Sequence, residues 1–341
     1  MQVVRPVRLE DAAHLFTLIG QAEYGLTTLQ ISEELLEERV RNSLLSFANP
    51  KSKPAGQPYV FVLEDLTDGS IIGTSAIYSK VGGYEPFYSY EIKKSVHESA
   101  QLGIRKEIDV LHLKKEHNGP TEIGSLFLGP KYWGAGHGRL LSMARFLFMA
   151  EFPTRFDKLT IAELRGVVNA DGRSPVWDAI GSHFFQVEFP KAETLTNESK
   201  SIIADLMPEH PIYIPLLPES AQRAIGKVHQ HTEPALAMLL KEGFRVSNLV
   251  DIFDGGATVI CETKNIRTVK ESRAGKIGEI AEHVAEPQTL VANTSMDFRA
   301  CLGHVAWRGA DAVIDQVTAL QLNVKTGERI RAADLRPSKE S

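Results

Sequence analysis

PKYWGAGHGRLLSMARFLFM, from Pro130 to Met149, sets three glycines, Gly134, Gly136 and Gly138, between an apolar run, EIGSLFL, and a long segment with apolar residues at helical spacing. Glycine tolerates positive φ and leaves bare backbone against which a ligand can lie. A helix beginning near Gly138 leaves its first N–H groups without partners. Together with the helix dipole, those groups suit an anion such as a pyrophosphate. A strand, a glycine loop over 130–140 and a helix are therefore expected to cradle phosphate. Two familiar phosphate loops are excluded. No Gly-Lys-Ser/Thr follows, and the G-x-G-x-G spacing in mid-chain does not match the G-x-G-x-x-G of dinucleotide folds. The glycines alone also allow a turn without function.

On the N-terminal side of this stretch, QVVRPV reads as a strand, with Asp11 as N-cap of a helix AAHLFTLIGQA. GLTTLQISEELLEERVRNSLLSF follows as an amphipathic helix capped by Ser32. YVFVLEDLTDGSIIGTSAIYS forms two strands about Asp68-Gly69, a strong hairpin pair. YEPFYSYEI and IDVLHL read as further strands. On the C-terminal side come a strand KLTIAELRGV and a helix SPVWDAIGSHFF opened by Ser174 and Pro175. A proline-punctuated insertion spans about 190–228. The helix EPALAMLLKEGF, stopped by Gly243, is followed by strands around Gly255-Gly256. Short β-like runs after Val284 suggest a small β-barrel-like domain, with a boundary inside ESRAGKIGEIAEHVAEP. The division expected is a catalytic domain over 1–282 and a β-rich domain over 283–341, in a mixed α/β (α+β) chain.

Composition narrows the function. The 341 residues are 43% hydrophobic and 24% charged, with a net charge of -5. A sequence pI near 6.1 argues against nucleic acid as the main partner. It is compatible with a small cationic substrate. Cys261 and Cys301 make no CxxC pair, which excludes a disulfide framework and a cysteine zinc site of the usual spacing. No metal is expected. The N-terminus has no apolar signal region and no stretch approaches the ~18 apolar residues of a membrane span. No membrane partner and a cytoplasmic location are the expectations.

The order of elements, with a glycine loop between strand and helix and a later helix ending in Gly-Phe, resembles the GCN5-related N-acyltransferase fold. That superfamily's (R/Q)-x-x-G-x-(G/A) signature cradles the pyrophosphate of coenzyme A. Trp133-Gly134-Ala135-Gly136-His137-Gly138 sits in its frame, departing at Trp133, where Arg or Gln is usual. MLLKEGF and a looser WDAIGSHFF supply two Gly-Phe-like endings, which points to an elaborated fold with a degenerate second half. Longer blocks, RGVVNADGRSPVWDAIGSHFF, ADLMPEHPIY, GKVHQHTEPALAMLLKEGFR and DIFDGG, with VVRPV, GLTTL and YVFVLED near the N-terminus, resemble the arginine N-succinyltransferase family over nearly the whole chain. The resemblance implies transfer of a succinyl group from succinyl-CoA to the α-amino group of L-arginine in arginine catabolism. Succinyl-CoA is then a co-substrate, and no tightly bound cofactor is implied. Ornithine preference, or a non-catalytic subunit that binds CoA or arginine, are the alternatives. The chain is expected to form a homo-oligomer or to pair with a homologous subunit.

Aminolysis of a thioester needs a neutral amine, donors at the carbonyl and a proton for the leaving thiolate. Histidine suits the proton work. The resemblance implies that His229, in GKVHQHT, is the proton donor. His231 is the fallback, and points away if the segment is extended. His137 is expected to pack near the cofactor. The resemblance also implies that Leu126, in GSLFL, contacts succinyl-CoA, through its backbone. Gly134, Gly136 and Gly138 are the loop residues. Glu64, Asp65, Glu163, Asp251 and Asp254 are candidate partners for a guanidinium, and Arg165 for the succinyl carboxylate; charge alone ranks none of them. DIFDGG also fits a tight turn of no further role.

Overall fold

The computed structural model describes residues 1–22, 29, 31–50, 53–198 and 201–336, with only the backbone described over 196–198. Apart from Leu29, the block GLTTL lies outside the described residues. β1 (Gln2–Pro6) leads to α1 (Ala12–Ile19) and α2 (Glu33–Ala48). β2 (Pro58–Asp65) and β3 (Ser70–Tyr78) turn at Gly69, whose φ of 75° explains the Asp-Gly pair. β4 (Phe87–Ser99) and β5 (Ile104–Glu116) make a longer hairpin, and β6 (Thr121–Leu128) runs through the glycine loop into α3 (His137–Glu151). β7 (Leu159–Glu163) precedes α4 (Pro175–Ala179), α5 (Gly181–Phe185), α6 (Phe189–Glu198), α7 (Ser201–Leu206), β8 (Ile212–Tyr213) and α8 (Glu219–Ala224). Then come α9 (Glu233–Lys241), β9 (Arg245–Val250), β10 (Ala257–Glu262) and α10 (Arg267–Glu271). β11 (Arg273–Ala281), β12 (Gln288–Asn293), β13 (Ala300–Arg308), β14 (Asp311–Asp315), α11 (Gln316–Leu322) and β15 (Arg329–Ala333) complete the chain.

The strands form one continuous ladder in the order β12-β15-β11-β14-β13-β1-β2-β3-β6-β7-β10-β9-β4-β5-β8, and β12 also pairs with β13. That last pairing closes β11 to β15 into a ring of five strands. Residues of β2 alternate between the two faces of the sheet, as strand geometry requires. Tyr59, Phe61 and Leu63 join a core with α3, whereas Val60 and Val62 join α1 and α2 on the opposite face. Every residue from Leu140 to Met149 of α3 is buried. A helix apolar on all sides must be covered on all sides, and α3 is covered by β3 and β6, by α10 and by the C-terminal ring. The insertion shares a second core with the residues that flank it: Ala192, Ile203, Met207 and Ala224 join Trp177, Phe185, Phe189 and Phe253. Among the described residues no helix is long and apolar enough to cross a membrane.

Several local expectations are corrected. Asp11 occupies the N-cap position of α1 but makes no capping bond there. Its carboxylate accepts from Arg5 at 2.7 and 2.9 Å, because a buried guanidinium outcompetes a helix end as a partner. The helix read from SPVWDAIGSHFF is two short pieces broken at Ile180, with Ser174 capping the first. Gly181 ends no helix: a Cβ there would lie 2.2 Å from the Trp177 ring. The Gly243-Phe244 ending behaves as expected. Gly243 has φ 94°, and Phe244 stacks on Phe146 of α3 with ring centroids 6.0 Å apart.

Candidate active site

β6 and β7 run parallel and pair only at Thr121↔Thr160 and Glu122↔Ile161. Beyond those pairs β6 stays with β3 while β7 follows β10, so the two strands part and open a gap beside the glycine loop. On the β3 side, Ala76 pairs with Gly124 and Thr74 with Phe127, so Ser75 alone stands opposite Ser125 and Leu126. This is a β-bulge, and Ser125 adopts φ 49° to make it. The Leu126 side chain packs against the main core.

After the bulge, Trp133 donates its indole N–H to Leu128 O at 2.8 Å. Gly134 and Gly136 have φ 89° and 83°, and a Cβ on either would meet nothing within 4 Å. These two glycines are required by conformation and leave open space above the backbone. Gly138, inside the first turn of α3, has no positive φ, so its role is confined to keeping that turn bare. Among the described residues, the N–H groups of residues 134 to 138 donate to no protein acceptor, while Arg139 and Leu140 donate to Gly136 O. Five adjacent N–H groups without a protein acceptor at a helix N-terminus suit an anion. His137 is bound at the loop itself, with Nδ1 3.2 Å from Tyr132 O.

The segment carrying His229 is fixed from two sides. Gly226 N–H donates to Gly255 O and His229 N–H to Arg165 O, both at 2.8 Å. Nη1 of Arg165 lies 3.3 Å from Nδ1 of His229, and the His231 N–H donates to the same Nδ1 at 3.2 Å. Gln230 to Thr232 form a 3-10 turn capped by His229. The segment is therefore not extended, and His231 does not point away. Its ring meets that of His229 edge-on at 5.0 Å and that of Trp133 at 6.0 Å. The glycine loop, His231, His229 and Arg165 thus lie in one line.

A cavity of about 330 Å³ has Glu163, two residues before Arg165, in its lining. Glu122, Glu163 and Asp251 line it, with Tyr78, Tyr88 and Phe253. The Tyr78 hydroxyl stands 3.4 Å from Ser125 Oγ, which ties the cavity to the bulge. Lys80, also in the lining, is committed to Asn118 Oδ1 at 2.6 Å and Asp157 at 3.8 Å. Oδ1 of Asp251 accepts from Phe253 N and Asp254 N at 2.7 and 2.8 Å, and burial raises its carboxyl above the usual range. Asp254 is raised well above it by burial and then by the charge of Asp251. Its two oxygens accept from Gly166 N and Gly256 N at 2.6 and 2.8 Å, so it belongs to the architecture. A Cβ at Gly166 would lie 2.6 Å from this carboxylate.

Of the five acidic candidates, Glu163 and Asp251 reach the cavity. Glu64 is taken by Arg5 at 2.6 Å, and Asp65 by Gln2 and the N-terminus, at the far end of β2. Sequence reasoning missed Glu122, Tyr78 and the bulge. Only the apolar neighbours of a lone glutamate in TEIGSLFL hinted at the first. Among the described residues no group of three or more His, Cys, Asp and Glu side chains is placed to hold a metal.

Residues 2–268 match the family described as "Arginine N-succinyltransferase beta subunit", and residues 273–334 match its C-terminal domain. An arginine N-succinyltransferase of Enterobacter sp. (strain 638) is 41% identical over 349 aligned positions, covering 100% of both chains. One from Salmonella schwarzengrund is 38% identical over 338 positions, covering 98% of each. The solved arginine/ornithine succinyltransferase subunit AI of Pseudomonas aeruginosa superimposes with a TM-score of 0.91 at 33% identity, covering 98% of this chain and 99% of that one. The matches run from end to end of the chain. The chain belongs to the arginine N-succinyltransferase family.

Proposed function

We propose that the chain transfers the succinyl group of succinyl-CoA to the α-amino group of L-arginine and releases free CoA. His229 is the proton-handling residue in this reading, and Leu126, Gly134, Gly136 and Gly138 bind the co-substrate. One observation carries it: contacts lead from Arg165 through His229 and His231 to Trp133 at the glycine loop, and Glu163 of the acidic cavity stands two residues before Arg165. In this reading the loop holds the pyrophosphate, the pantetheine arm carries the thioester away from it along β6, and an amine held in the cavity meets the thioester within reach of His229.

In the reaction the amine nitrogen attacks the thioester carbonyl, a C–N bond forms, the C–S bond breaks, and the proton lost by the amine ends on the thiolate sulfur. The free N–H groups of 134 to 138 hold the pyrophosphate. The backbone at Ser125 and Leu126 pairs with the pantetheine arm, as an added strand would. Nδ1 of His229 accepts from two donors, so in this reading Nε2 is the nitrogen that exchanges the proton with the reacting groups. Glu122, Glu163 and Asp251 receive the guanidinium, since carboxylates match its fork. No tightly held cofactor enters this chemistry.

The same reading extends to the frame. Splayed β6 and β7 around a glycine loop support a GCN5-related N-acyltransferase-like fold for the larger part, and the ring of β11 to β15 a small barrel-like domain. We divide the two ahead of β11 at Arg273 rather than after residue 282 as read from the sequence, because among the described strands β11 pairs only with β14 and β15. We place the activity in the cytoplasm, the chain acting as a homo-oligomer or beside a homologous subunit. Ornithine preference is the second reading, favoured by the Pseudomonas relative, an arginine/ornithine succinyltransferase subunit by name. Thiol release from succinyl-CoA with arginine, run beside ornithine, lysine and acetyl-CoA, is the test. Turnover with succinyl-CoA and arginine is expected; none with any amine would leave only a binding subunit.

A further inference from the structure

Arg145 interrupts the apolar face of α3, the helix that carries the glycine loop at its N-terminus. It is 2% exposed. Its Nε donates to Ser142 O at 3.0 Å and Nη2 to Ser142 Oγ at 2.9 Å. Nη1 reaches Ala76 O at 3.4 Å and Gly124 O at 3.3 Å. Among the described residues no carboxylate lies within ion-pair distance of it. Burial pulls its pKa down to about 9, and at neutral pH it keeps its charge. A buried cation without a counter-ion is costly, and two other buried arginines avoid that cost: Arg5 pairs with Asp11 and Arg267 with Glu242. Arg155 does not, but its carbonyl partners, Ser46 and Asn49, tie down the end of α2, a structural task.

The carbonyls that Arg145 holds are placed differently. Ala76 and Gly124 are register partners, the last regular pair before the bulge on β6. One guanidinium nitrogen therefore clamps both strands at the point where Ser125 turns to φ 49° and the backbone leaves the ladder. The bond to Gly124 O, from a charged donor, also polarises the Gly124–Ser125 peptide in a site of low dielectric. We propose that Arg145 is a positioning residue for acyl transfer, its guanidinium locking the bulge so that the backbone at Ser125 and Leu126 holds the thioester in one pose. This rests on the reading that succinyl-CoA lies along β6.

Arg145→Met and Arg145→Lys, with the CoA dissociation constant and thermal stability measured beside the kinetics, test it. For Arg145→Met, kcat is expected to fall by about tenfold to a hundredfold, the effect of a small misplacement of reacting groups. CoA affinity, set by the glycine loop, should stay within about twofold, because no contact to the pyrophosphate is altered. Arg145→Lys should recover part of kcat by restoring the charge without the fork. If Arg145→Met does not fold, Ser142→Ala decides. It removes the 2.9 Å bond that orients the guanidinium, and should lower kcat at unchanged stability. A folded variant with wild-type kcat overturns the proposal, as does a loss of kcat that only follows the folded fraction. A wild-type protein without turnover on any amine overturns the reaction first, and the role of Arg145 with it.

Discussion

Nη1 of Arg165 and Nδ1 of His229 stand 3.3 Å apart, and an arginine can only donate. The His231 N–H converges on the same ring nitrogen at 3.2 Å. Nδ1 must accept, so the neutral ring carries its proton on Nε2. Nitrogen-15 NMR of His229 is expected to find that tautomer, and a protonated Nδ1 in the neutral ring would contradict it. Arg165→Met should lower kcat by about tenfold, since the ring loses an anchor but not its chemistry. A rise in KM for succinyl-CoA alone would instead assign Arg165 to the succinyl carboxylate.

The loop glycines separate by conformation. Gly136→Val should raise KM for succinyl-CoA at least about tenfold, because a β-branched residue at φ 83° is strained and crowds the cradle. Gly138→Ala, at ordinary φ, should have a smaller effect. Equal effects, or none, would detach the loop from CoA binding.

His229→Ala should reduce kcat by roughly 10²–10⁴ with little change in KM for succinyl-CoA. His231→Ala is expected to act differently from a residue pointing away. Its ring lies between Trp133 and His229, so KM for succinyl-CoA should rise several-fold while kcat falls less. Near-normal kcat in His229→Ala would leave water-mediated proton transfer as the mechanism.

The cavity predicts selectivity. L-arginine should exceed norleucine in kcat/KM by about a hundredfold or more, because the analogue brings no cation to the half-buried carboxylates of the cavity. Glu163→Gln should raise KM for arginine and narrow that ratio. Comparable rates in the wild type would mean that the amino acid is read mainly at its α-carbon end.

Asp251 and Asp254 predict a pH dependence. Burial, then the charge of Asp251, raises the Asp254 carboxyl well above 3.8, its unfolded-chain value. Between those values the folded chain keeps a proton that the unfolded chain has released, so this share of stability is present at low pH and declines as pH rises. Asp251→Asn keeps an oxygen for the Phe253 and Asp254 amides but removes the charge. Its urea midpoint relative to wild type should therefore rise from pH 4 to pH 7. A pH-independent difference would remove the coupling.

Reading from residues 130–149 recovered what is local. Gly134 and Gly136 turn where bare backbone is needed, Ser32 and Ser174 cap their helices, and Asp68-Gly69 closes its hairpin. These features depend on neighbours a few residues away, and side-chain chemistry at that range is written in the order of residues. The clearest unread signal was Arg145, a charge in the midst of SMARFLFM. The bulge at Ser125 was not legible, because it is a mismatch of register between two strands and neither strand carries it alone. The break at Ile180 follows from the close approach of Gly181 to Trp177, which a helical period cannot show.

By itself the sequence determined the strand, glycine loop and helix over 121–151, the pattern of the elements around them and the family blocks that identify the chemistry. Only the tertiary structure decided which charges serve it. Glu163 and Asp251 reach the cavity while Glu64 and Asp65 do not, and Arg165 meets His229 across 64 positions of sequence. Such meetings depend on where β6 and β7 part and on which donor each buried carboxylate finds first. A carboxylate takes the nearest donor that folding presents, and that choice is made in space rather than along the chain.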